Sequence, residues 1–356
     1  MTRPQPRVLL LINSFAVGGA ERVFIKDSNA LHDSGWNVSV ATLFKPGTLA
    51  SELTIDPAHV INLGFASVWN IHGIVRLVHL LRREKIDVLY TTLNEANLIG
   101  RIARLFMPHL RLYTREANMA DIKSPIYKFG DIVLGWLSTR IVAVSHAVED
   151  SVAKYAPWLR GRIVVLHNGV EIPPLVKRPP HYEMKLLTVG SLTEKKDHEI
   201  LLRACALLPA SYKLTIVGDG TLRKFLAELS QELGLAERVV FTGALPFDKV
   251  AQHYRTHDIF VLPSKYEGCP NVISEAQSFS LPSVAFDIAG MREFITDQSG
   301  VIVVHRDAHA LAEALSRLGG SQELRLSMGN AGREEVQERS LEHHISQLER
   351  LLHRII

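Results

Sequence analysis

Two glutamates with a glycine and a proline between them form the most chemically informative stretch of this sequence. Glu267 follows the apolar run 259–263, which is typical of a buried parallel strand, and Glu275 lies on a helix predicted over 271–279. Pro270 suits the first position of that helix, because its missing N–H would have no helical partner there. The segment therefore predicts one carboxylate on a loop and a second on the helix that follows.

The start of this helix is a predicted anion site. The backbone amides of Asn271 and Val272 should point out of the helix N-terminus, where the helix dipole favours negative charge. Carboxylates repel a phosphate, so Glu267 and Glu275 make more sense as ligands for hydroxyl groups. A nucleotide sugar, which carries both phosphates and hydroxyls, fits this combination. The alternative is that both glutamates are solvated charges that complement the dipole.

Glycines follow several other predicted strands. Gly18 and Gly19 join the first strand to the first helix, and adjacent glycines let backbone amides approach a phosphate closely. The same pair also suits a plain turn. Gly190 and Gly218 come directly after two strands of the second half of the chain, where ligands of parallel sheets bind.

Two charged positions also lie at strand ends. Lys196 can reach a phosphate as a point charge or be a solvated loop lysine, and Lys195 competes for the role. Glu116 could orient an acceptor hydroxyl, or it could form a surface salt bridge with Arg115.

Short apolar segments alternate with helical segments in two blocks. The first block has predicted strands over 7–13, 37–43, 86–92, 110–116 and 140–145, separated by predicted helices over 18–35, 72–85, 96–106 and 124–138. The second has strands over 185–191, 213–220, 238–245, 259–263, 282–286 and 300–304, with helices over 198–208, 221–234, 249–257, 271–279 and 307–356. This alternation predicts an α/β protein of two doubly wound, Rossmann-like parallel-sheet domains facing a cleft.

A proline-rich stretch without periodicity, 167–180, separates the two blocks and is typical of a linker. The predicted domains are 1–172 and 183–338, joined by a linker over 173–182. Closure about this connection would expel water from a cleft between the domains.

Composition limits the function classes. The 356 residues are 47% hydrophobic and 22% charged, which suits a soluble globular protein, and the two cysteines suit a reducing compartment. With no signal peptide and no long uncharged apolar stretch, a cytoplasmic location is expected. The sequence contains no CxxC, P-loop, GxSxG or GxGxxG pattern, so we expect neither a metal site nor a bound cofactor.

Charge is unevenly spread along the chain. Residues 1–180 hold 21 Lys+Arg and 14 Asp+Glu, which gives +7, whereas the remainder holds 19 and 23, which gives −4. A basic first half suggests an anionic partner such as a membrane surface or a lipid-linked phosphate, although such a balance is also common. Aromatic residues are not interleaved with the basic ones, so nucleic acid is not an expected partner.

Five motifs, in this order, resemble the retaining glycosyltransferases of family 4, which have the GT-B fold. They are GGAER (18–22), HNGV (167–170), VGSLTEKKDHEILLRA (189–204), IVGDG (216–220) and EGCPNVISEA (267–276). REAN (115–118) and the PNV variant resemble the branch that builds bacterial surface polysaccharides, including lipopolysaccharide, and lipid-linked oligosaccharides. The fold also implies that a terminal helix, 339–356, packs back on the first domain.

The resemblance implies a role for each matching position. Glu275 would bind the ribose hydroxyls of the donor, and Glu267 would contact hydroxyls of the transferred sugar. The amides of Asn271 and Val272 would hold diphosphate or sugar, and Lys196 would contact the diphosphate.

The glycines acquire donor-binding roles in the same way. Gly18 and Gly19 would face the diphosphate, and Gly190 and Gly218 would line the donor site. The base would lie near the turn from Gly243 to Leu245.

Two departures from the family pattern matter. Ser191 stands where arginine is usual, which weakens neutralisation of the diphosphate unless Arg22 or Lys195 compensates. The acceptor-side histidine of many members is missing, and Glu116 is our substitute for it.

The resemblance implies an enzyme that moves a hexose or N-acetylhexosamine from a UDP-sugar to a saccharide or lipid-linked acceptor, without a metal. The amphipathic stretches 72–85 and 96–106 suit peripheral contact with an anionic membrane on its cytoplasmic face. The alternatives are another GT-B enzyme, such as a nucleotide-sugar epimerase or a phosphorylase, and a non-catalytic saccharide-binding protein of the same fold.

Overall fold

The computed structural model describes residues 5–175 and 182–353. The chain divides into two compact units, one formed by Met1–Gly169 with Glu342–Ile356 and the other by Val170–Leu341. Residues 176–181 of the predicted linker lie outside the described residues.

The first unit is built on a parallel sheet of seven strands in the order β3-β2-β1-β4-β5-β6-β7. The strands are β1 (Val8–Ile12), β2 (Val38–Thr42), β3 (Val60–Asn62), β4 (Val88–Thr92), β5 (Arg111–Glu116), β6 (Arg140–Ala143) and β7 (Ile163–Val165). The helices are α1 (Gly19–Asp33), α2 (Ile71–Arg83), α3 (Asn94–Leu105), α4 (Pro125–Leu134) and α5 (His146–Tyr155). The central strands β1 and β4 are buried along their whole length, as expected of strands covered on both faces.

The second unit is built on a parallel sheet of six strands in the order β10-β9-β8-β11-β12-β13. The strands are β8 (Met184–Val189), β9 (Tyr212–Val217), β10 (Val239–Gly243), β11 (Ile259–Leu262), β12 (Ser283–Phe286) and β13 (Gly300–Val303). The helices are α6 (His198–Ala206), α7 (Arg223–Glu232), α8 (Phe247–Thr256), α9 (Asn271–Ser278), α10 (Ala308–Gly319) and α11 (Gln322–Glu335).

In both sheets the chain starts at a central strand, adds strands toward one edge, and then crosses over to add the remaining strands toward the other edge. The prediction of two doubly wound α/β domains is confirmed. The sequence pattern missed β3, β7 and α5. The two missed strands are three-residue edge strands, too short to show a periodicity, and β7 contains two half-buried valines. Helix α5 was signalled only by its N-cap, where Ser145 Oγ accepts from the backbone N of Val148 at 3.2 Å.

The last helix, α12 (Leu341–His353), packs on the first unit. Its Leu348 and Leu352 are buried, and Glu349 accepts from the indole of Trp36 at 2.9 Å. The ring nitrogens of His344 lie 2.6 Å from the carbonyl oxygen of His167 and 3.0 Å from Asp27 Oδ1. Polar contacts of His344 and Glu349, together with buried apolar side chains, thus hold this helix to the first unit.

The point of reversal lies between β1 and β4 in the first sheet and between β8 and β11 in the second. Ligands of doubly wound sheets bind outside the carboxyl ends of the strands at this point. The glycine pair at 18–19 follows β1, and Gly190 and Glu267 follow β8 and β11. The fold therefore brings the strongest sequence candidates of each unit to the edge where ligands bind.

Candidate active site

Glu267 lies on a buried loop after β11, where its carboxylate contacts two lysines. Lys196 Nζ is 2.5 Å from Oε1, Lys195 Nζ is 3.1 Å from Oε2, and the hydroxyl of Ser264 donates to Oε1 at 2.7 Å. Burial alone would raise the pKa of Glu267, but the two lysines and the hydrogen bonds outweigh it and lower the pKa. The acid is therefore ionised, and its charge is matched by the lysines.

This contact changes the roles predicted for Lys196 and Glu267. The sequence predicts that Lys196 contacts a phosphate and that Glu267 separately contacts hydroxyl groups. In the structure the two side chains are each other's partners. A ligand phosphate that attracts Lys196 must therefore compete with Glu267, and the freed carboxylate can then accept from a hydroxyl group.

Arg306 holds the loops that carry this ion pair, and the sequence analysis missed it. Its guanidinium donates to the carbonyl oxygens of Pro263 at 2.7 Å and Ser264 at 3.0 Å, and it pairs with Asp197 at 2.6 Å. It thereby ties the loop after β11 to the loop after β8. Its position two residues past the predicted strand 300–304 was the only signal in the sequence.

Three glycines meet beside these loops, at the carboxyl ends of β8, β9 and β10. Gly190 N donates to Val217 O at 2.9 Å, and Gly218 N donates to Gly243 O at 2.9 Å. Gly218 has φ +142°, and a Cβ there would lie 1.9 Å from the carbonyl oxygen of Gly190. A side chain at Gly218 is thus excluded, and glycines at these strand ends leave the backbone open to close approach by a ligand.

Replacing Gly218 with alanine should destabilise the second unit by at least about 1–3 kcal/mol, because the residue would be both strained and in collision with backbone. Circular dichroism melting curves measure this loss. Gly161→Ala is the matched control, since its φ is ordinary and nothing lies within 4 Å of its Cβ position. Equal melting temperatures for the two variants would contradict the close approach of Gly218 to Gly190.

Arg223, the first residue of α7, is a second cation that the sequence analysis missed. Its Nη1 lies 3.3 Å from the Cβ position of Gly243, and it contacts Asp219 at 3.6 Å. Ser191, where the family pattern has arginine, is exposed and lies near Thr193, with 3.4 Å between the hydroxyls. Arg223 thus supplies positive charge next to the turn where Gly243 and Leu245 were expected to hold a base.

Helix α9 begins at Asn271, with Pro270 preceding it as the N-cap, so the prediction that Pro270 is the first helical residue is wrong by one position. The amide of Asn271 donates to Cys269 O at 3.0 Å. The expectation that this amide points outward is also wrong, because the chain turns tightly before the helix and uses it internally. The outward amide of Val272 stays a prediction.

Glu275 is half-buried on α9, where Tyr254 of α8 holds it. The phenol of Tyr254 donates to Glu275 Oε2 at 2.9 Å. Burial, reinforced by the carboxylate, raises the pKa of Tyr254 well above its usual value. The phenol therefore stays protonated, and its hydrogen bond fixes the orientation of the Glu275 carboxylate.

In the first unit, the Gly18–Gly19 pair lies at the start of α1, but a carboxylate already lies against it. A Cβ at Gly18 would be 2.1 Å from Glu21 Oε2, so the Glu21 side chain folds back over the glycine. Burial raises the pKa of Glu21. A phosphate approaching these glycines would have to displace this side chain. Arg22, named as a compensating cation, is half-buried on the same turn.

Both roles expected for Glu116, orienting an acceptor hydroxyl or forming a surface salt bridge, require an exposed side chain, which Glu116 does not have. It is buried, accepts from Lys123 at 2.6 Å and from Asn97 at 3.1 Å, and lies 3.5 Å from Arg101. Arg115, its expected surface partner, is also buried and pairs with Asp27 at 3.2 Å. The expectation that Glu116 orients an acceptor hydroxyl is therefore wrong, because its carboxylate is paired with Lys123 and Arg101 inside the protein.

The described residues contain no group of three or more His, Cys, Asp or Glu side chains with metal-binding geometry. The carboxyl edge of the second sheet carries positive side chains of the protein, among them Lys195, Lys196 and Arg223. Such an arrangement can bind an anionic ligand and stabilise charge that develops on it.

Sequence profiles of two known domains match the chain almost end to end. The profile described as Glycosyltransferase Family 4 matches residues 17–172, and the one described as Glycosyl transferases group 1 matches residues 176–335. The first match covers β2 to β7 of the first sheet, and the second covers all six strands of the second sheet.

Named relatives match over most of their length. A lipopolysaccharide core biosynthesis glycosyltransferase, LpsE of Rhizobium meliloti, is 27% identical over 89% of this chain and 90% of its own. An N-acetylgalactosamine-N,N'-diacetylbacillosaminyl-diphospho-undecaprenol 4-alpha-N-acetylgalactosaminyltransferase of Campylobacter jejuni is 25% identical over 90% of this chain and 92% of its own.

Among solved structures, HepE of Anabaena in complex with UDP superposes with a TM-score of 0.85 at 19% identity, covering 97% of this chain and 99% of that one. At this identity the likeness establishes the fold, which is GT-B. Profiles, relatives and fold agree, and the chain belongs to the family 4 glycosyltransferases.

Proposed function

We propose that this glycosyltransferase moves a hexose or N-acetylhexosamine from a UDP-sugar to a saccharide or lipid-linked acceptor in cell-surface polysaccharide synthesis, with retained anomeric configuration. The observation that carries the proposal is the buried Glu267–Lys196 pair at the reversal point of the second sheet. One site there offers a cation for phosphate and an acid for hydroxyl groups.

The relatives support the choice of donor and acceptor. The Campylobacter enzyme is named for a diphospho-undecaprenol acceptor, and an Escherichia coli relative, 25% identical over 72% of this chain and 73% of its own, is named as a UDP-Gal:alpha-D-GlcNAc-diphosphoundecaprenol alpha-1,3-galactosyltransferase. HepE has also been solved in complex with UDP-glucose.

We assign the donor contacts as follows. Glu275, oriented by Tyr254, binds the ribose hydroxyls, and Glu267 binds hydroxyls of the transferred sugar. Lys196 and the amide of Val272 bind the diphosphate. The base lies against the turn from Gly243 to Leu245, next to the guanidinium of Arg223.

Charge moves to the leaving UDP as the sugar–phosphate bond breaks. Lys196 is present at the site before reaction, and turning its ammonium group from Glu267 to the diphosphate would stabilise this charge. The departing phosphate oxygen would take the acceptor proton on the same face, which gives retention. We propose that the protein's own cations make a metal ion unnecessary.

The acceptor is assigned to the first unit, and the protein to the cytoplasmic face of a membrane. No helix among residues 5–175 and 182–353 has the length and apolarity needed to cross a bilayer. The stretches 72–85 and 96–106 use many of their apolar side chains to cover the sheet, among them Leu77, Leu81 and Ile99. Val75, Leu105 and Phe106 on the same stretches are exposed, so their contact with a membrane stays a prediction.

Replacing Glu275 with alanine should raise the Kd for UDP by about tenfold to a hundredfold, the usual cost of losing hydrogen bonds to a charged group. Isothermal titration and UDP-induced thermal shift measure the change. Tyr254→Phe, which keeps the carboxylate but loses its fixed orientation, should weaken UDP less. Glu228→Ala, at an exposed acid of α7, is the control. Unchanged UDP affinity in Glu275→Ala would contradict the ribose assignment.

A further inference from the structure

Glu95 is a half-buried carboxylate at the ligand edge of the first sheet. It lies in the first turn of α3, directly after β4. Asn13, which follows β1, donates from Nδ2 to its Oε2 at 2.6 Å, and the phenol of Tyr127 on α4 donates to its Oε1 at 3.0 Å. Side chains from three separate parts of the first unit thus meet where the strand order of the sheet reverses.

Asn13 fixes the position of this carboxylate relative to the sheet. The N-cap residue of α3 is Leu93, whose side chain cannot accept a hydrogen bond from the helix. Asn13 takes over this role, because its Oδ1 accepts from the backbone N of Ala96 at 3.1 Å. One amide side chain therefore holds both the backbone and the carboxylate of the first turn, and it joins the end of β1 to the start of α3.

The backbone that leads into this turn is strained. Leu93 has φ +80° and ψ 158°, a conformation that residues other than glycine rarely adopt. Thr92, the residue before it, is buried, and its hydroxyl has no hydrogen-bond partner in the described part of the chain. Strain of this kind costs stability, so it persists mainly at functional sites. Both irregularities come directly before the turn that carries Glu95.

The partners of Glu95 are neutral, which distinguishes it from Glu116. The carboxylate of Glu116 is paired with cations inside the protein, whereas Glu95 is held by an amide and a phenol. A carboxylate can accept about four hydrogen bonds, and the amide and the phenol use one on each oxygen. Each oxygen of Glu95 can therefore accept from one further donor.

Tyr127 remains a hydrogen-bond donor at ordinary pH. Burial raises its pKa, and the hydrogen bond to Glu95 and the negative charge of Glu95 raise it further, to about 12. A protonated phenol holds Oε1 in place, as the amide of Asn13 holds Oε2. The carboxylate is thus oriented before any ligand arrives.

We propose that Glu95 binds two hydroxyl groups of the saccharide part of the acceptor, and that Asn13 and Tyr127 orient it for this contact. The inference rests on the proposed glycosyl transfer, whose acceptor was assigned to the first unit. A carboxylate attracts hydroxyl donors and repels phosphate, so it selects the sugar rather than a phosphate. Adjacent hydroxyl groups of a sugar ring can each donate to one oxygen of the same carboxylate.

The position of Glu95 supplies the acceptor contact that Glu116 cannot make. Its side chain is half-buried rather than buried, so a ligand can reach it. Glu95 follows β4 and the pair Gly18–Gly19 follows β1, and these strands are neighbours in the sheet. A sugar bound to Glu95 therefore lies at the same edge as the glycine pair.

The first test measures saccharide binding without transfer. The probes are the methyl glycosides of glucose, galactose, N-acetylglucosamine and N-acetylgalactosamine, titrated by saturation-transfer NMR in the presence of saturating UDP. The wild type should bind at least one of them, and Glu95→Gln should raise its Kd by about tenfold or more, the usual cost of losing a hydrogen bond to a charged group. Tyr127→Phe, which keeps the carboxylate, should raise the Kd less.

Stability separates a binding role from a structural one. A glutamine at position 95 can still accept from Asn13 and donate to the hydroxyl oxygen of Tyr127, so the melting temperature of Glu95→Gln should change little. Glu323→Gln is the matched control, because it removes an exposed acid from the first turn of another helix, α11. This control should bind the glycosides as the wild type does.

The second test separates acceptor from donor in the transfer reaction. Glu95→Gln should lower kcat/KM for the acceptor by about tenfold or more, whereas the KM for the UDP-sugar and the UDP-induced thermal shift should stay as in the wild type. A general loss of folding would change all of these quantities together.

Three results would overturn the proposal. One is a lower melting temperature of Glu95→Gln with an unchanged glycoside Kd, which would make Glu95 a helix-capping residue only. Another is glycoside binding that is lost in Glu267→Gln but kept in Glu95→Gln, which would place the sugar in the donor site. The third is a wild type that binds none of the four glycosides.

The outcome is separable from that of the proposed function. Glycoside binding that depends on Glu95, without sugar transfer from any UDP-sugar, would sink the proposed reaction and leave the saccharide site standing. Sugar transfer that is equally fast in Glu95→Gln would sink the site and leave the reaction standing.

Discussion

Replacing Lys196 with alanine is expected to lower kcat/KM by about a hundredfold to a thousandfold, the typical cost of removing one preorganised group that stabilises transition-state charge. The physical reason is its position: Lys196 Nζ is held 2.5 Å from the buried Glu267 and can turn to a leaving diphosphate nearby. The measurement is UDP release that depends on added acceptor, with kcat and KM determined separately.

Lys195 supplies the discriminating comparison. It contacts the other oxygen of Glu267 at 3.1 Å and also lies over the ring of Tyr266, with 5.3 Å between Nζ and the ring centroid. Lys195→Ala should therefore cost less than Lys196→Ala, and Lys224→Ala, at a side chain that is 89% exposed, should cost nothing. A larger loss in Lys195→Ala than in Lys196→Ala would reverse the assignment of the diphosphate contact.

Replacing Glu116 with glutamine should destabilise the first unit by about 3–5 kcal/mol, because breaking a buried ion cluster leaves an uncompensated charge inside. Arg101 and Lys123 would then share Asp131 as their remaining acid. Burial alone would lower the pKa of Lys123, but Glu116 and Asp131 raise it, so the lysine holds its proton in the wild type. Urea unfolding followed by circular dichroism measures the loss.

The same variant also tests the corrected role of Glu116. The double variant Glu116→Leu, Lys123→Met removes one acid and one cation together and should recover much of the stability. Arg160→Gln, at an exposed pair, should change stability by no more than about 1 kcal/mol. If Glu116→Gln kept full stability but abolished sugar transfer, Glu116 would be a catalytic residue after all.

Much of this protein was predictable because its signals are local. Buried parallel strands such as β1 and β11 appear as short apolar runs, and glycines and acids after such runs fall at the ligand edge of any doubly wound sheet. Motif order then indicates the family, and the same motifs single out Glu267, Lys196 and Glu275 as candidate site residues. The prediction failed for β3 and β7, because three residues are too few to show a recognisable pattern of apolar side chains.

The partners of those residues were not predictable, because they come from distant parts of the chain. No spacing indicates that Glu267 pairs with a lysine that lies 71 residues earlier, or that Arg306 joins the loops around them. Glu116 was misjudged for the same reason. A carboxylate at a strand end looks the same in sequence whether it faces a ligand or three internal cationic and amide groups.

The sequence by itself determined the fold class, the family and the edge of the sheet at which the candidate site residues lie, since periodicity and motif spacing are properties of neighbouring residues. Only the tertiary structure decided which charges are matched and which faces are covered. Helix α4 is the clearest case: its pattern is that of any amphipathic helix, and folding alone turned Asp131 inward and Phe129 outward. Burial depends on what packs against a face, and that is set by the whole chain.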